Sequence, residues 1–218
     1  VPILYEAVFD NRAPFVKLMI DAKANLNVRG LEWNDTPLII ASRRRNRDIV
    51  ELLLEAKAAL DVTNCHGHTP LHYAVKARNR RGKKYPVDAS IVQMLVDAKA
   101  PLEYSALSVT VRGRQSAVLK ILVDARADLR VRDRQDEPLL MAALATKSTS
   151  IVKILLKADP SLYEDCDSNG MTALMFAITK YDAPHDVRNV RMLLEHACAH
   201  CAVDRDDEPP AKRFKRSE

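Results

Sequence analysis

The chain has 218 residues, 47 % hydrophobic and 29 % charged, and its 34 basic and 29 acidic residues leave a formal net charge of +5. It can bury a sizeable core, but no apolar run approaches the roughly 20 residues that span a bilayer. The four cysteines are spread too widely for a small disulfide scaffold and fit a reducing compartment, nuclear or cytoplasmic.

The first predicted unit opens at Val1-Pro2, with helices over about residues 3–11 and 14–22. Its outer side should be apolar and uncovered, which signifies either a cut end or a missing partner or extension. In the turn that follows, Asn34 tolerates the left-handed region and places Trp33 at the tip. There Trp33 either packs on its own hairpin or anchors a partner. Thr36-Pro37-Leu38-Ile39-Ile40-Ala41 then reads as a helix start. The threonine hydroxyl caps free N–H groups, and proline suits the first helical position. A second apolar helix runs from Ile49. The whole phrase restarts 33 residues later as Thr69-Pro70-Leu71-His72-Tyr73-Ala74, after a turn in which Gly67 supplies a positive φ. Looser copies of the first phrase begin at Ser105, Glu137 and Thr172, and copies of the second at Phe15, Ile91, Val118, Ile151 and Asn189. The third unit carries nine added residues between its helices, around Asn79 to Val87. After Asp204 the composition shifts to a charged, proline-containing tail too poor in apolar residues to fold alone.

A recurring helix pair of this period, opened by Thr-Pro-Leu-His, resembles the ankyrin repeat. The resemblance implies an all-α solenoid over residues 1–203, in repeats of about 1–35, 36–68, 69–104, 105–136, 137–171 and 172–203, followed by the tail 204–218. One departure is the residue just past each second helix. Ankyrin repeats usually place glycine there, whereas this chain has Lys23, Lys57, Lys99, Arg126, Asp159 and Ala197. A non-glycine residue held left-handed costs roughly 1–2 kcal/mol, so slightly altered turns are expected.

No glycine-rich phosphate loop, nucleophile elbow or paired-histidine metalloprotease helix is present, and the chain reads as non-enzymatic. His196, Cys198, His200 and Cys201 are weak metal candidates, because zinc usually draws its ligands from two separated pairs. No cofactor or small-molecule substrate is expected.

The resemblance implies partner binding on a concave face built from first helices and projecting turns. Carried over by position, this face gathers Arg43 and Arg44, then Lys76 and Arg78, then Arg112 and Arg114. The insert adds Arg80, Arg81, Lys83 and Lys84. Repeats 1 and 5 place Val8, Phe9, Leu144 and Ala145 there. This basic set reads either as a solvated face or as a groove for an acidic protein segment, with Trp33 as an apolar anchor. Nucleic-acid phosphate ranks lower, since Tyr73, Tyr85 and Tyr104 form no stacking platform. Arg43 and Arg112 are expected to be exposed, so reversing their charge should leave helicity unchanged. In the tail, Lys212, Arg213, Lys215 and Arg216 resemble a short nuclear-import signal. The leading function is a protein–protein interaction adaptor, with a nuclear regulator as one form of it. The alternatives are a structural subunit of a large protein or ribonucleoprotein assembly, or the ankyrin module of a pathogen effector.

Overall fold

Thr36 and Thr69 cap the helices that follow them: Thr36 Oγ1 accepts from the Ile39 N–H at 3.3 Å and Thr69 Oγ1 from the His72 N–H at 3.4 Å. Thr172 does the same for Met175 at 3.3 Å. The computed structural model describes residues 2–76, 78–80, 83–85, 87–133, 135–180 and 187–206. These form six helix pairs: α1 (Ile3–Phe9) with α2 (Ala13–Asp21), α3 (Pro37–Arg44) with α4 (Arg47–Glu55), α5 (Pro70–Val75) with α6 (Ala89–Asp97), α7 (Tyr104–Arg112) with α8 (Ser116–Asp124), α9 (Leu139–Ala145) with α10 (Thr149–Ala158), and α11 (Ala173–Lys180) with α12 (Val187–Asp206). First helices stack on first helices along the chain, and second helices on second helices. This quasi-one-dimensional packing is that of a repeat solenoid. α12 continues through Asp206, so it takes in residues 204–206 of the expected tail.

The core runs along the stack. Leu53 of α4, Leu95 of α6, Leu122 of α8 and Leu155 of α10 occupy one repeat position, and all are fully buried. A small residue recurs in every first helix as Ala7, Ala41, Ala74, Thr110, Ala143 and Ala177, again all buried. The one polar member, Thr110, donates its hydroxyl to the Ala106 carbonyl at 2.8 Å and so leaves no orphan donor.

This small-residue column corrects the expected alignment. The N-cap residues of α1 and α9 are Pro2 and Pro138, both with extended backbone. Proline thus stands where Thr36 stands, one position later than the Val1-Pro2 and Glu137-Pro138 matches imply. Consequently Phe9 and Ala145, rather than Val8 and Leu144, are the counterparts of Arg43. Val8 and Leu144 are buried.

The turns after the second helices also differ from expectation. Lys23, Lys57, Lys99 and Arg126 keep the left-handed conformation, with φ of 57°, 61°, 69° and 61°. The chain accepts the local strain instead of altering the turn. A cationic side chain next to the helix C-terminal dipole offsets part of it, by roughly 0.3–1 kcal/mol. At Asp159 the backbone instead extends (φ −141°) and a 3-10 helix, Pro160–Glu164, replaces the turn, while Ala197 lies within α12.

The insert in the third unit forms an antiparallel hairpin of β1 (Arg78–Arg80) and β2 (Lys83–Tyr85), in which Arg80 pairs with Lys83, Asn79 with Lys84 and Arg78 with Tyr85.

Candidate partner-binding face

The turns that precede α5, α9 and α11 share one local design. Asn64, Asp133 and Asp167 occupy equivalent positions, and in each the side-chain oxygen accepts two backbone N–H bonds: from His66 and His68 at 3.0 and 3.1 Å, from Gln135 and Glu137 at 2.8 Å each, and from Asn169 and Met171 at 2.9 Å each. Three residues on, the chain turns left-handed at Gly67, Asp136 and Gly170. This is the Asx-turn solution to otherwise unpaired turn N–H groups. The N–H bonds hold the Asp167 carboxyl below its ordinary range.

The first turn carries Leu31 at that position, 76 % exposed, with Asn34 left-handed at φ 53°. Trp33 packs against the next turn: its ring lies 5.1 Å from that of His66, and its carbonyl accepts from the Cys65 N–H at 2.9 Å. Its Nε1–H donates to Glu32 Oε2 at 3.1 Å, and 42 % of the residue remains exposed. Beside this turn, Tyr5, Glu6, Phe9, Leu31 and Glu32 line a pocket.

Arg43 contradicts its expected exposure. Its guanidinium lies 2.9 Å from the fully buried carboxylate of Asp35 and 5.7 Å from the Tyr73 ring centroid. Asn64 ties the same network together, donating from Nδ2 to Asp35 Oδ1 at 2.8 Å and to the Tyr73 hydroxyl at 2.9 Å. Arg43 is therefore a structural cation in a network drawn from the first three repeats. Arg44 lies 3.8 Å from the centroid of the Phe9 ring, back over the first unit. Arg112 bonds Ser108 Oγ and pairs with Glu137, each at 3.2 Å, while keeping over half of its side chain in solvent. Burial raises the Glu137 carboxyl and the Arg112 charge opposes that rise. Lys76 and Arg114 are exposed. Arg112 and Arg114 border a shallow pocket completed by Glu137, Ala142, Ala145 and Thr146.

Arg78, Arg80, Lys83 and Lys84 lie on the hairpin, but their side chains, Arg81, and the tail cluster Lys212, Arg213, Lys215 and Arg216 are outside the described residues. So are the side chains of Cys198, His200 and Cys201. Among the described residues no group of three or more histidine, cysteine or acidic side chains is placed to hold a metal.

His72 is the buried histidine of the Thr-Pro-Leu-His phrase. It stacks on His68 at 3.7 Å and meets the Tyr73 ring edge-on. Burial, then repulsion from His68 and Lys76, lowers its pKa to about 4. The unfolded chain, with histidine near 6.5, binds the proton more readily. The stability that neutral His72 contributes is thus complete above about pH 6.5 and is lost as pH falls towards 4. His72→Met, which copies Met141 at the same repeat position, should flatten the fall in Tm between pH 7 and pH 4.5. An equal fall in both proteins would show that other groups set the acid limb.

A family model of ankyrin repeats (3 copies) matches residues 4–100 and 107–207. Among curated proteins, the putative ankyrin repeat protein FPV031 of Fowlpox virus (strain NVSL) is 36 % identical over 74 residues, 34 % of this chain and 21 % of its own length. The putative palmitoyltransferase ZDHHC13 of Danio rerio is 28 % identical over 177 residues, 81 % of this chain and 27 % of its own. The chain thus spans about a quarter or less of these relatives. Among solved structures, an ankyrin repeat domain (ABAYE2397) of Acinetobacter baumannii AYE superposes with a TM-score of 0.74 at 20 % identity, covering 89 % of this chain and 97 % of that one. The ankyrin repeat domain of Bcl-3, a member of the IkappaB family, gives 0.73 at 24 % identity, covering 88 % and 85 %.

Proposed function

The chain belongs to the ankyrin repeat family, and on that premise we propose that it is a non-enzymatic adaptor whose concave first-helix face takes an acidic segment of a partner protein. One observation carries this reading. In the register of the structure, Arg43, Lys76 and Arg112 occupy the same position in three successive repeats. Like charges stacked at repeat spacing repel one another. Asp35 offsets the first and Glu137 the third, whereas Lys76 is exposed and leads directly into a hairpin strand that begins at Arg78. From Lys76 to Val87 the sequence holds six basic residues and no acidic one. An acidic ligand along this line would relieve the repulsion, with charge serving orientation and on-rate more than affinity. The tail's Lys212, Arg213, Lys215 and Arg216 supply the basis for proposing a nuclear setting.

The test is a pull-down from nuclease-treated extract with the unmodified chain and with Lys76→Glu/Arg114→Glu, two exposed positions at which reversal should leave the circular dichroism spectrum unchanged. A protein retained by the first and depleted about tenfold or more from the second is the expected result. Equal recovery of every retained protein would remove the basic line as the binding element.

A further inference from the structure

Two residues of the first unit depart from the pattern of later units, and they meet in one pocket. Glu6 stands where the later first helices carry Ile40, Tyr73, Val109, Ala142 and Phe176. All five of those are buried or half-buried, whereas Glu6 is exposed. Leu31 stands where Asn64, Asp133 and Asp167 hold their turns together through two backbone bonds each. The first turn thus forgoes a stabilising side chain and presents an exposed leucine instead. Departures from a repeat's own local logic are expected where function overrides stability. Leu31 and Glu6 line the same pocket, with Tyr5, Phe9 and Glu32. Tyr5 and Phe9 form its aromatic wall, their rings stacked at 6.4 Å and 12°.

We propose that this pocket is a recognition subsite for a partner-protein segment that presents an apolar side chain next to a lysine or arginine. The apolar group packs on Tyr5, Phe9 and Leu31, and the cation reaches the rim carboxylates of Glu6 and Glu32. Charge complementarity selects the occupant. The rim has two carboxylates against one guanidinium, that of Arg44 over Phe9, while Arg43 is matched by Asp35. The Tyr5 hydroxyl is pushed up first by burial and then by Asp35, Arg43 opposes the rise, and Glu32 and Glu6 add to it.

A preceding repeat is the competing occupant. Ile3 is 73 % and Phe15 52 % exposed, although their counterparts Ala106, Leu139, Ala173, Ile49, Ile91 and Ile151 are buried. Where the inner repeats pack, Arg43 of one repeat lies over Tyr73 of the next, the counterpart of Glu6, so a cation beside an apolar side chain suits this position.

This inference rests on the adaptor reading, since it places one end of the bound segment; the two fail separately in the following experiment. Random dodecapeptides displayed on phage are selected on the unmodified chain. The enriched peptides are then measured on Leu31→Asn, Glu6→Lys/Glu32→Lys and Lys76→Glu/Arg114→Glu. Leu31→Asn restores the residue found at Asn64 and should keep or raise Tm. The expected result is enrichment of an apolar residue next to lysine or arginine, with binding about tenfold weaker on Leu31→Asn. Reselection on Glu6→Lys/Glu32→Lys should turn the preference to aspartate or glutamate. Unchanged binding on Leu31→Asn, an unchanged charge preference, or no enrichment at all would overturn the subsite. If binding is lost only on Lys76→Glu/Arg114→Glu, the subsite falls and the adaptor reading stands. If it is lost on none of the three, both fall. Concentration-dependent association of the chain that is abolished by Ile3→Glu/Phe15→Glu would assign this end to a second copy and overturn the proposed occupant.

Discussion

Arg43→Met should lower the unfolding free energy by about 3–5 kcal/mol, because it leaves the buried Asp35 carboxylate without its counter-charge. For a chain of this length the melting temperature would fall by on the order of 10 °C. The cost belongs to the orphaned charge rather than to the pair. Arg43→Met/Asp35→Asn, which keeps an oxygen to accept from Asn64, should therefore recover most of the loss. Thermal unfolding of the wild type, both single variants and the double variant checks this. A single-variant loss below about 1 kcal/mol would place Arg43 among ordinary surface cations. The same contact makes Arg43 a poor probe of partner binding. Charge reversal here would disturb the fold before it reported on a partner, which is why Lys76 and Arg114 carry the binding test.

Leu53→Ala should cost about 2–5 kcal/mol, read from the shift in urea midpoint at constant slope. Leu53 has no exposed surface, and alanine would leave a cavity between stacked second helices. Leu95, Leu122 and Leu155 occupy the same position in the next repeats and are equally buried, so their truncations should fall in the same range. Leu18→Ala on the open first unit should change stability by under about 1 kcal/mol, since its side chain lies largely in solvent. Similar losses at Leu18 and Leu53 would contradict the assigned register.

The solenoid is legible in the sequence because the Thr-Pro phrase states its own physics: a hydroxyl cap, a proline preset for the first turn, and apolar residues at helical spacing. The register slips by one in the first and fifth units for a related reason. Proline is common at the first helical position, so Pro2 and Pro138 align there by sequence, while the chain uses them as N-caps. The recurring small residue, from Ala7 to Ala177, is the better guide, because close helix approach tolerates little else. The lysines past the second helices keep the left-handed turn because packing on both sides fixes the backbone more firmly than the local strain opposes it. The insert's hairpin gives almost no signal: Arg-Asn-Arg-Arg-Gly-Lys-Lys-Tyr has no apolar alternation, and Gly82 is its only turn cue.

The candidate site is legible as a line of charge but not as a structure. Spacing alone does not show that Arg43 has a buried partner, because Asp35 precedes it by eight residues and the contact is made by a long side chain folding back along the helix. The aromatic pocket escapes a sequence reading because its walls come from a first helix and a turn some twenty-five residues apart. The available clue is the pair of exceptions, Glu6 and Leu31, at positions whose counterparts follow a rule.

Partner binding is proposed for the first-helix face and its turns. Hydrogen–deuterium exchange of the full chain, alone and with the partner captured by pull-down, tests it most directly. Added protection is expected in the turns around Trp33 and His66 and at the ends of α3, α5 and α7, with α4, α6, α8 and α10 unchanged. Protection confined to those second helices, or to residues beyond α12, would contradict it.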